Sequence, residues 1–207
     1  MWIGAHPDDE LYLGGTLGYA TKDKGIKLTI ISFAENPDFL EANRSSAEFL
    51  NNAEYLYLTG QGLDCDINEV DEAVSEAVSK GAKDEIIGLI REKKPDVIFT
   101  FESSNGYRTI CPHIVSAVVA QMAIEESGVE SETFSILNRD HLLTSILGGE
   151  MDPLPVTDVI DLDEHLWEYR MAIFGFYSPF YPTLVEILET PSLQDELLHQ
   201  EFFRKVE

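Results

Sequence analysis

Two kinds of segment alternate along most of the chain. Short apolar runs rich in β-branched residues are typical of buried strands, and the longer mixed segments between them are typical of helices. The predicted strands are residues 2–5, 27–33, 54–58, 95–101, 132–137 and 156–162. The predicted helices are residues 11–20, 39–52, 69–94 with an interruption near Gly81, 112–126, 164–174 and 193–206.

This alternation indicates βαβ units and therefore a parallel sheet that is covered on both faces. Because the crossovers are right-handed, we expect a Rossmann-like α/β fold, with an open, mostly parallel sheet and helices on both faces. The 207 residues fit a single domain, which we assign to 1–207. The first strand, residues 2–5, is short, which indicates either a start further upstream or a truncated central strand.

Composition narrows the class of partner. The hydrophobic content of 44% is ordinary for a globular protein, and neither a membrane span nor a signal peptide is evident. The chain carries 38 acidic and 14 basic residues, a formal charge of −24. Such a surface repels nucleic acid and anionic membranes, so we expect neither as a partner. Adaptation to high salt and simple solubility explain the acidity equally well.

The cysteines bear on the redox environment. Cys65 and Cys111 are the two cysteines of the chain, and they form no CxxC motif. Disulfides are rare in the cytosol. The sequence therefore predicts reduced thiols in a cytoplasmic protein.

The first candidate site is the string AHPDDE at residues 5–10, directly after the first predicted strand. His6 and Asp9 are three residues apart, a spacing that places both side chains on one side of a helical turn. An imidazole and a carboxylate are suitable ligands for a divalent metal such as zinc. Asp8 points elsewhere and is free to act as a base. The alternative is that these acids merely complement a helix N-terminus.

The second part of the site follows the predicted strand 95–101. In a doubly wound sheet this strand lies beside the first, and the crevice between their carboxyl ends is the usual binding site. The loop after residue 101 leads to His113 at a predicted helix start. His6, Asp9 and His113 are therefore predicted to form a three-ligand metal site with a position open to water, as in catalytic zinc centres.

At this point the chain resembles a known family, the LmbE-like or PIG-L-like zinc-dependent N-deacetylases. The string AHPDDE, Gly14 and Gly15 shortly after it, and the strand PDVIFT at residues 95–100 carry the resemblance. It implies that His6, Asp9 and His113 hold Zn²⁺, with Fe²⁺ as an alternative, and that Asp8 is the general base. The implied reaction removes an acetyl or other acyl group from the amine of an amino sugar or glycoside, a small-molecule substrate. Assembly into a homo-oligomer is left open.

The chain departs from the family pattern at position 110. The family's HxxH stretch has a histidine there that stabilises the oxyanion and protonates the leaving amine, whereas this chain has Ile110. Isoleucine can do neither. The candidates to replace it are Tyr107, Arg108 and the tail histidines His141, His165 and His199.

The remaining candidates for substrate contact come from the same resemblance. Arg44 is a near match to a helix-borne arginine of some members, and Asp64 occupies a loop position that often meets substrate hydroxyls. In the tail, aromatic residues replace the family's His-Ser-Gln, and they serve either core packing or a stacking wall for substrate. These residues are Phe174, Phe176, Tyr177, Phe180 and Tyr181.

Ile110 also motivates an alternative function. A catalytically altered or inactive family member that retains its metal could bind a small ligand or serve as an assembly subunit. Asp8 argues against this alternative, because a non-catalytic metal site has no need of a spare carboxylate. A third option is an amide hydrolase that acts on something other than an acetylated sugar.

Overall fold

A computed structural model describes residues 1–58, 63, 65–152 and 154–206. Within these residues the strands form one seven-stranded sheet in the order β3-β2-β1-β4-β5-β7-β6. The strands are β1 (Trp2–Gly4), β2 (Thr29–Ser32), β3 (Glu54–Tyr57), β4 (Val97–Phe101), β5 (Glu132–Leu137), β6 (Asp158–Asp161) and β7 (Gln200–Lys205). Pairings are parallel from β3 through β5, whereas β7 runs antiparallel to both of its neighbours, β5 and β6. The predicted mostly parallel sheet is confirmed.

Helices connect the strands. They are α1 (Gly14–Gly18), α2 (Leu40–Phe49), α3 (Val70–Ser79), α4 (Ala82–Lys93), α5 (Gly106–Thr109, a distorted turn), α6 (Cys111–Ser127), α7 (His141–Leu147), α8 (Glu164–Tyr177), α9 (Pro182–Glu189) and α10 (Pro191–Glu196). The predicted break near Gly81 is confirmed, since this glycine adopts φ +90° between α3 and α4. Within the described residues, no helix has both the length and the apolar character needed to cross a membrane.

The sheet separates two apolar cores. Successive side chains of a strand point to opposite faces, so Trp2 belongs to one core and Ile3 to the other. Residues of α1, α2, α8 and α9 pack on the Trp2 side, and residues of α3, α4 and α6 pack on the Ile3 side. The expectation of helices on both faces is therefore confirmed.

The position of β1 determines where a site can form. This strand pairs with β2 on one side and with β4 on the other, with Trp2 opposite Ile30 and Phe99. The predicted adjacency of the first strand and strand 95–101 is thus correct. The strand order reverses here, and the loops that follow β1 and β4 emerge at the same edge of the sheet.

The prediction of a helix over residues 193–206 is wrong. Helix α10 ends at Glu196, and residues 200–205 form β7, which pairs with both β5 and β6. The alternating burial of Glu201 and Phe203 fits a strand. The Glu201 carboxylate accepts hydrogen bonds from the backbone N–H groups of Gly15 and Thr16, both at 2.9 Å. Long-range pairing therefore overrides the local helical pattern.

The expectation of reduced thiols is also wrong in this structure. Cys65 and Cys111 form a disulfide with a Cα–Cα distance of 5.8 Å. It joins the segment after β3 to the first residue of α6. The two residues are 46 positions apart, so only the fold brings them together.

Candidate metal centre and active-site cavity

Asp9 is fixed by the loop that follows β1. Its Oδ2 atom accepts hydrogen bonds from the backbone N–H groups of Ala5 and His6, each at 2.7 Å. The side chain is almost completely buried. Because the backbone holds one carboxylate oxygen, the other oxygen, Oδ1, is turned toward the histidines.

His113 comes from the first turn of α6 and is held equally firmly. Its Nδ1 atom lies 2.9 Å from the carbonyl oxygen of Gly106 and 3.2 Å from that of Tyr107. Its ring stacks on Phe101, with the ring centroids 4.0 Å apart. A carbonyl oxygen can only accept, so Nδ1 carries the proton. Nε2 is then left as a metal-binding atom.

The three candidate ligand atoms form a nearly equilateral triangle. His6 Nδ1 lies 3.6 Å from Asp9 Oδ1, Asp9 Oδ1 lies 3.4 Å from His113 Nε2, and the two histidine nitrogens are 3.3 Å apart. Ligands bound to zinc at 2.0–2.1 Å in a tetrahedron are separated by roughly 3.3 Å. The donor set of two imidazoles and one carboxylate therefore fits a zinc ion in both chemistry and spacing.

The pKa values of Asp8 and Asp9 are shifted in opposite directions. Burial alone would raise the pKa of Asp9, but the neighbouring His113 and His6 lower it well below its ordinary range. The pKa of Asp8 is raised, first by burial and then by the negative charge of Asp9. Asp9 therefore suits a permanently ionised ligand, whereas a raised pKa makes Asp8 a stronger base.

A cavity of about 640 Å³ opens over these residues. This volume lies in the range of small-molecule sites. Its lining combines the candidate ligands, Asp8, an apolar wall and several polar groups. The lining residues are His6, Pro7, Asp8, Asp9, Leu11, Tyr12, Ala34, Glu35, Asn36, Phe39, Arg108, Ile110, His113, Tyr181 and Leu184.

A buried polar network holds the loop of residues 5–10 in place. Glu10 is fully buried and accepts hydrogen bonds from the hydroxyls of Ser46, at 2.8 Å, and Tyr177. The hydroxyls of Tyr177 and Tyr55 also lie within hydrogen-bond distance of the carbonyl oxygen of Pro7, between His6 and Asp8. Burial raises the pKa of Glu10 to about 7. The third carboxylate of AHPDDE thus anchors the loop and does not line the cavity.

Arg108 lies in the cavity lining, whereas Tyr107 does not. The Arg108 guanidinium donates to the Tyr12 hydroxyl at 3.1 Å, and its side chain is mostly buried. Tyr107 is buried against Phe101 and Tyr12. Tyr107, Arg108 and Thr109 have φ values of 46°, 74° and 59°, a sequence of left-handed conformations that is typical of functional loops.

The two candidates carried over from the family resemblance lie elsewhere. Arg44 is outside the cavity lining, with its side chain 81% exposed and paired with Glu48 at 2.9 Å. Asp64 lies outside the described residues. The structure therefore gives Arg44 no contact with the cavity.

The tail histidines do not reach the cavity. His141, His165 and His199 are exposed, with His165 beside Asp23 and His199 stacked on Trp167. The tail reaches the site through a different side chain.

That side chain is Tyr181. It lines the cavity, and its hydroxyl donates to Asp8 Oδ2 at 2.5 Å. The sequence placed Tyr181 in the aromatic cluster but gave no signal for this contact across 173 positions. Two other members, Phe174 and Tyr177, are fully buried, as the packing interpretation predicted.

Fold and site together define a Rossmann-like α/β protein with a candidate His-Asp-His metal centre. Residues 1–124 match the family described as PIG-L: GlcNAc-PI de-N-acetylase, and the chain belongs to this family. The match contains all three candidate ligands. A search of curated proteins gave no significant match.

Solved structures share the fold at low sequence identity. The N,N′-diacetylchitobiose deacetylase from Pyrococcus horikoshii, complexed with its inhibitor MPG, is 14% identical with a TM-score of 0.59, over 99% of this chain and 82% of that chain. The conserved protein TT1542 from Thermus thermophilus is 16% identical with a TM-score of 0.61, over 98% and 91%. GalB, the 4-carboxy-2-hydroxymuconate hydratase from Pseudomonas putida, is 11% identical with a TM-score of 0.61, over 100% and 95%. These likenesses concern the fold, which also occurs in a hydratase.

Proposed function

We propose that the protein is a zinc-dependent N-deacetylase that hydrolyses the acetamide of an amino sugar or glycoside. The observation that carries the proposal is the 3.3–3.6 Å triangle of His6, Asp9 and His113 with Asp8 beside it in the same cavity. Membership of a family described as de-N-acetylases supports the reaction class. The deacetylase from Pyrococcus horikoshii supports a sugar amide as substrate.

The chain's own residues account for the proton transfers. His6, Asp9 and His113 would hold a zinc ion, which would supply Lewis acidity to the amide carbonyl and lower the pKa of a water molecule. Asp8 accepts a proton from the attacking water as the water oxygen bonds to the carbonyl carbon. Asp8 then returns this proton to the nitrogen as the carbon–nitrogen bond breaks. Acetate and a free amine are the products.

The cavity wall suits a sugar. Phe39 and Tyr181 offer aromatic faces, while Glu35, Asn36 and Arg108 offer groups that can hydrogen-bond to hydroxyls. This combination of apolar faces and a few polar groups is typical of small-molecule sites.

The direct test is acetate release by zinc-loaded protein from N-acetylglucosamine and N,N′-diacetylchitobiose. Asp8→Ala is expected to abolish turnover while zinc remains bound in a 1:1 ratio, a loss of roughly 10²–10⁴-fold or more. Asp84→Ala, which changes an exposed aspartate on α4, is the matched control and keeps full activity. If the wild-type protein retains zinc but turns over none of a broad acetamide panel, the binding or assembly function is favoured instead.

A further inference from the structure

The geometry points to Tyr181 as the hydrogen-bond donor that takes the place of the histidine missing at Ile110. In this inference, which rests on the proposed function, the Tyr181 hydroxyl stabilises the oxyanion that forms on the substrate carbonyl. This role would make Tyr181 a catalytic residue that the C-terminal part of the chain supplies.

The first argument is position. The Tyr181 hydroxyl lies 2.5 Å from Asp8 Oδ2, within the cavity that Ile110 also lines. The water that Asp8 deprotonates must contact this carboxylate, and the carbonyl under attack must contact that water. A donor that touches Asp8 therefore lies next to the place where the oxyanion develops.

The second argument is that the ring is held in place. Tyr181 precedes α9, and its backbone N–H donates to the Ser178 carbonyl at 3.1 Å while its own carbonyl accepts from the Leu184 N–H at 2.8 Å. Its ring packs against Phe39, with centroids 6.0 Å apart. Because the ring is fixed, the hydroxyl needs only a rotation of its O–H bond to meet the developing charge, and a small reorganisation favours stabilisation.

The third argument concerns the change of partner during the reaction. In the resting site the hydroxyl donates to Asp8 Oδ2. When Asp8 takes the proton from water, the carbonyl π electrons move to the substrate oxygen, which then becomes the more negative acceptor nearby. The Tyr181 O–H turns to this oxygen and keeps its own proton. When the carbon–nitrogen bond breaks, Asp8 returns the water proton to nitrogen and regains the hydrogen bond.

Among the described residues, the other candidates are less suitable. His141, His165 and His199 lie outside the cavity, and Tyr107 is buried away from it. Arg108 also lines the cavity and donates to the Tyr12 hydroxyl, whereas Tyr181 donates to the candidate base itself. Tyr181 is the cavity-lining side chain with a direct contact to the candidate base.

The test compares Tyr181→Phe with Tyr169→Phe in zinc-loaded protein. Tyr169 also donates to an aspartate, Asp23, at 3.1 Å, but outside the cavity, so its variant controls for the loss of a tyrosine–aspartate hydrogen bond. We expect Tyr181→Phe to lower kcat roughly 10²–10³-fold with little change in KM, and Tyr169→Phe to leave kcat unchanged. Zinc content, measured by atomic spectroscopy, should be the same in both variants.

A second measurement separates stabilisation of the oxyanion from positioning of Asp8. A phosphonamidate analogue of the tetrahedral intermediate should bind Tyr181→Phe more weakly by about the same factor as kcat falls. Suppose that wild type is active and Asp8→Ala is inactive, so that the proposed function stands. The inference about Tyr181 is then overturned if Tyr181→Phe keeps full kcat, loses zinc, or binds the analogue as tightly as wild type does. A wild-type protein without amide hydrolase activity would overturn both this inference and the proposed function.

Discussion

The Nδ1 atom of His113 lies 2.9 Å from the carbonyl oxygen of Gly106. This contact determines which ring nitrogen faces the candidate metal centre, because the carbonyl can only accept a hydrogen bond. The carbonyl belongs to the loop of left-handed residues that also brings Arg108 into the cavity. One strained loop therefore orients a metal ligand and shapes the cavity wall.

The first prediction concerns Gly106. This residue has φ +59°, and a Cβ atom there would lie 2.4 Å from Ile114 Cγ1 and 2.6 Å from the Ile114 nitrogen. Gly106→Ala should displace the carbonyl that orients His113 and lower zinc affinity roughly 10–100-fold. Competition with a chromophoric chelator measures the affinity.

Gly128 provides the matched control for that substitution. It has φ +68° at the C-terminal end of α6, the helix that carries His113, and no atom lies within 4 Å of a Cβ built there. Gly128→Ala should cost about 1–2 kcal/mol in the free energy of unfolding but leave zinc affinity unchanged. Equal zinc affinities of the two variants would contradict the role assigned to the Gly106 carbonyl.

The second prediction concerns the network beneath the loop. Tyr177→Phe removes a hydroxyl that donates to Glu10 and also lies within hydrogen-bond distance of the Pro7 carbonyl oxygen and Asn43. We expect the free energy of unfolding to fall by about 1–3 kcal/mol, because buried acceptors lose a partner. Urea denaturation measures the change. The control is Tyr19→Phe, because Tyr19 is 40% exposed; its free energy of unfolding should stay within about 0.5 kcal/mol of wild type. An equally small change in Tyr177→Phe would refute the prediction.

The third prediction is a pH dependence that arises from Glu201. Burial raises the pKa of its carboxyl above the ordinary value of 4.5 in the folded protein. As the pH rises from about 4.5 toward the folded-state pKa, the unfolded chain ionises first, so the contribution of Glu201 to stability falls. The loss is about 1.4 kcal/mol for each pH unit in which only the unfolded carboxyl is ionised.

Glu201→Gln does not titrate and isolates this contribution. The difference in unfolding free energy between Glu201→Gln and wild type should shift in favour of the variant as the pH rises above 4.5. Urea titrations at several pH values between about 4 and 8 measure the difference. A difference that stays constant over this range would show that Glu201 is not the source.

The fourth prediction concerns the disulfide. Cys65 and Cys111 are separated by 46 residues, and closing a loop of this length restricts the unfolded chain by roughly 4 kcal/mol at 25 °C. Cys65→Ser should lower the free energy of unfolding by up to this amount, and a reducing agent should lower that of wild type similarly. Thermal and urea denaturation with and without reductant measure both. If the reductant leaves the free energy of unfolding of wild type unchanged, the disulfide does not form in solution.

Local sequence patterns were sufficient where structure depends on neighbours along the chain. The run at residues 132–137 predicted β5 at the observed bounds, and the string at residues 5–10 placed His6, Asp8 and Asp9 directly after a strand. His113 could be added because the adjacency of β1 and β4 follows from the general topology of doubly wound sheets.

Local patterns failed where a distant segment determines the outcome. Residues 200–205 form a strand because β5 and β6 provide hydrogen-bonding partners on both sides. The contact between Tyr181 and Asp8 spans 173 positions, and the Cys65–Cys111 bond spans 46. No periodicity or spacing encodes such contacts, so the hydrogen-bonded partner of the candidate base could not be identified from the sequence.

The bond from Glu201 to the start of α1 has a consequence for any attempt to shorten this protein. Residues 1–124 contain every candidate ligand, and a minimal enzyme cut from them would keep the recognisable motif. Such a fragment would leave the amide hydrogens of Gly15 and Thr16 without the Glu201 carboxylate, and it would lack Tyr177 and Tyr181, which contact Pro7 and Asp8. Chimeras and truncations should therefore treat residues 125–207 as part of the structure that holds the candidate site.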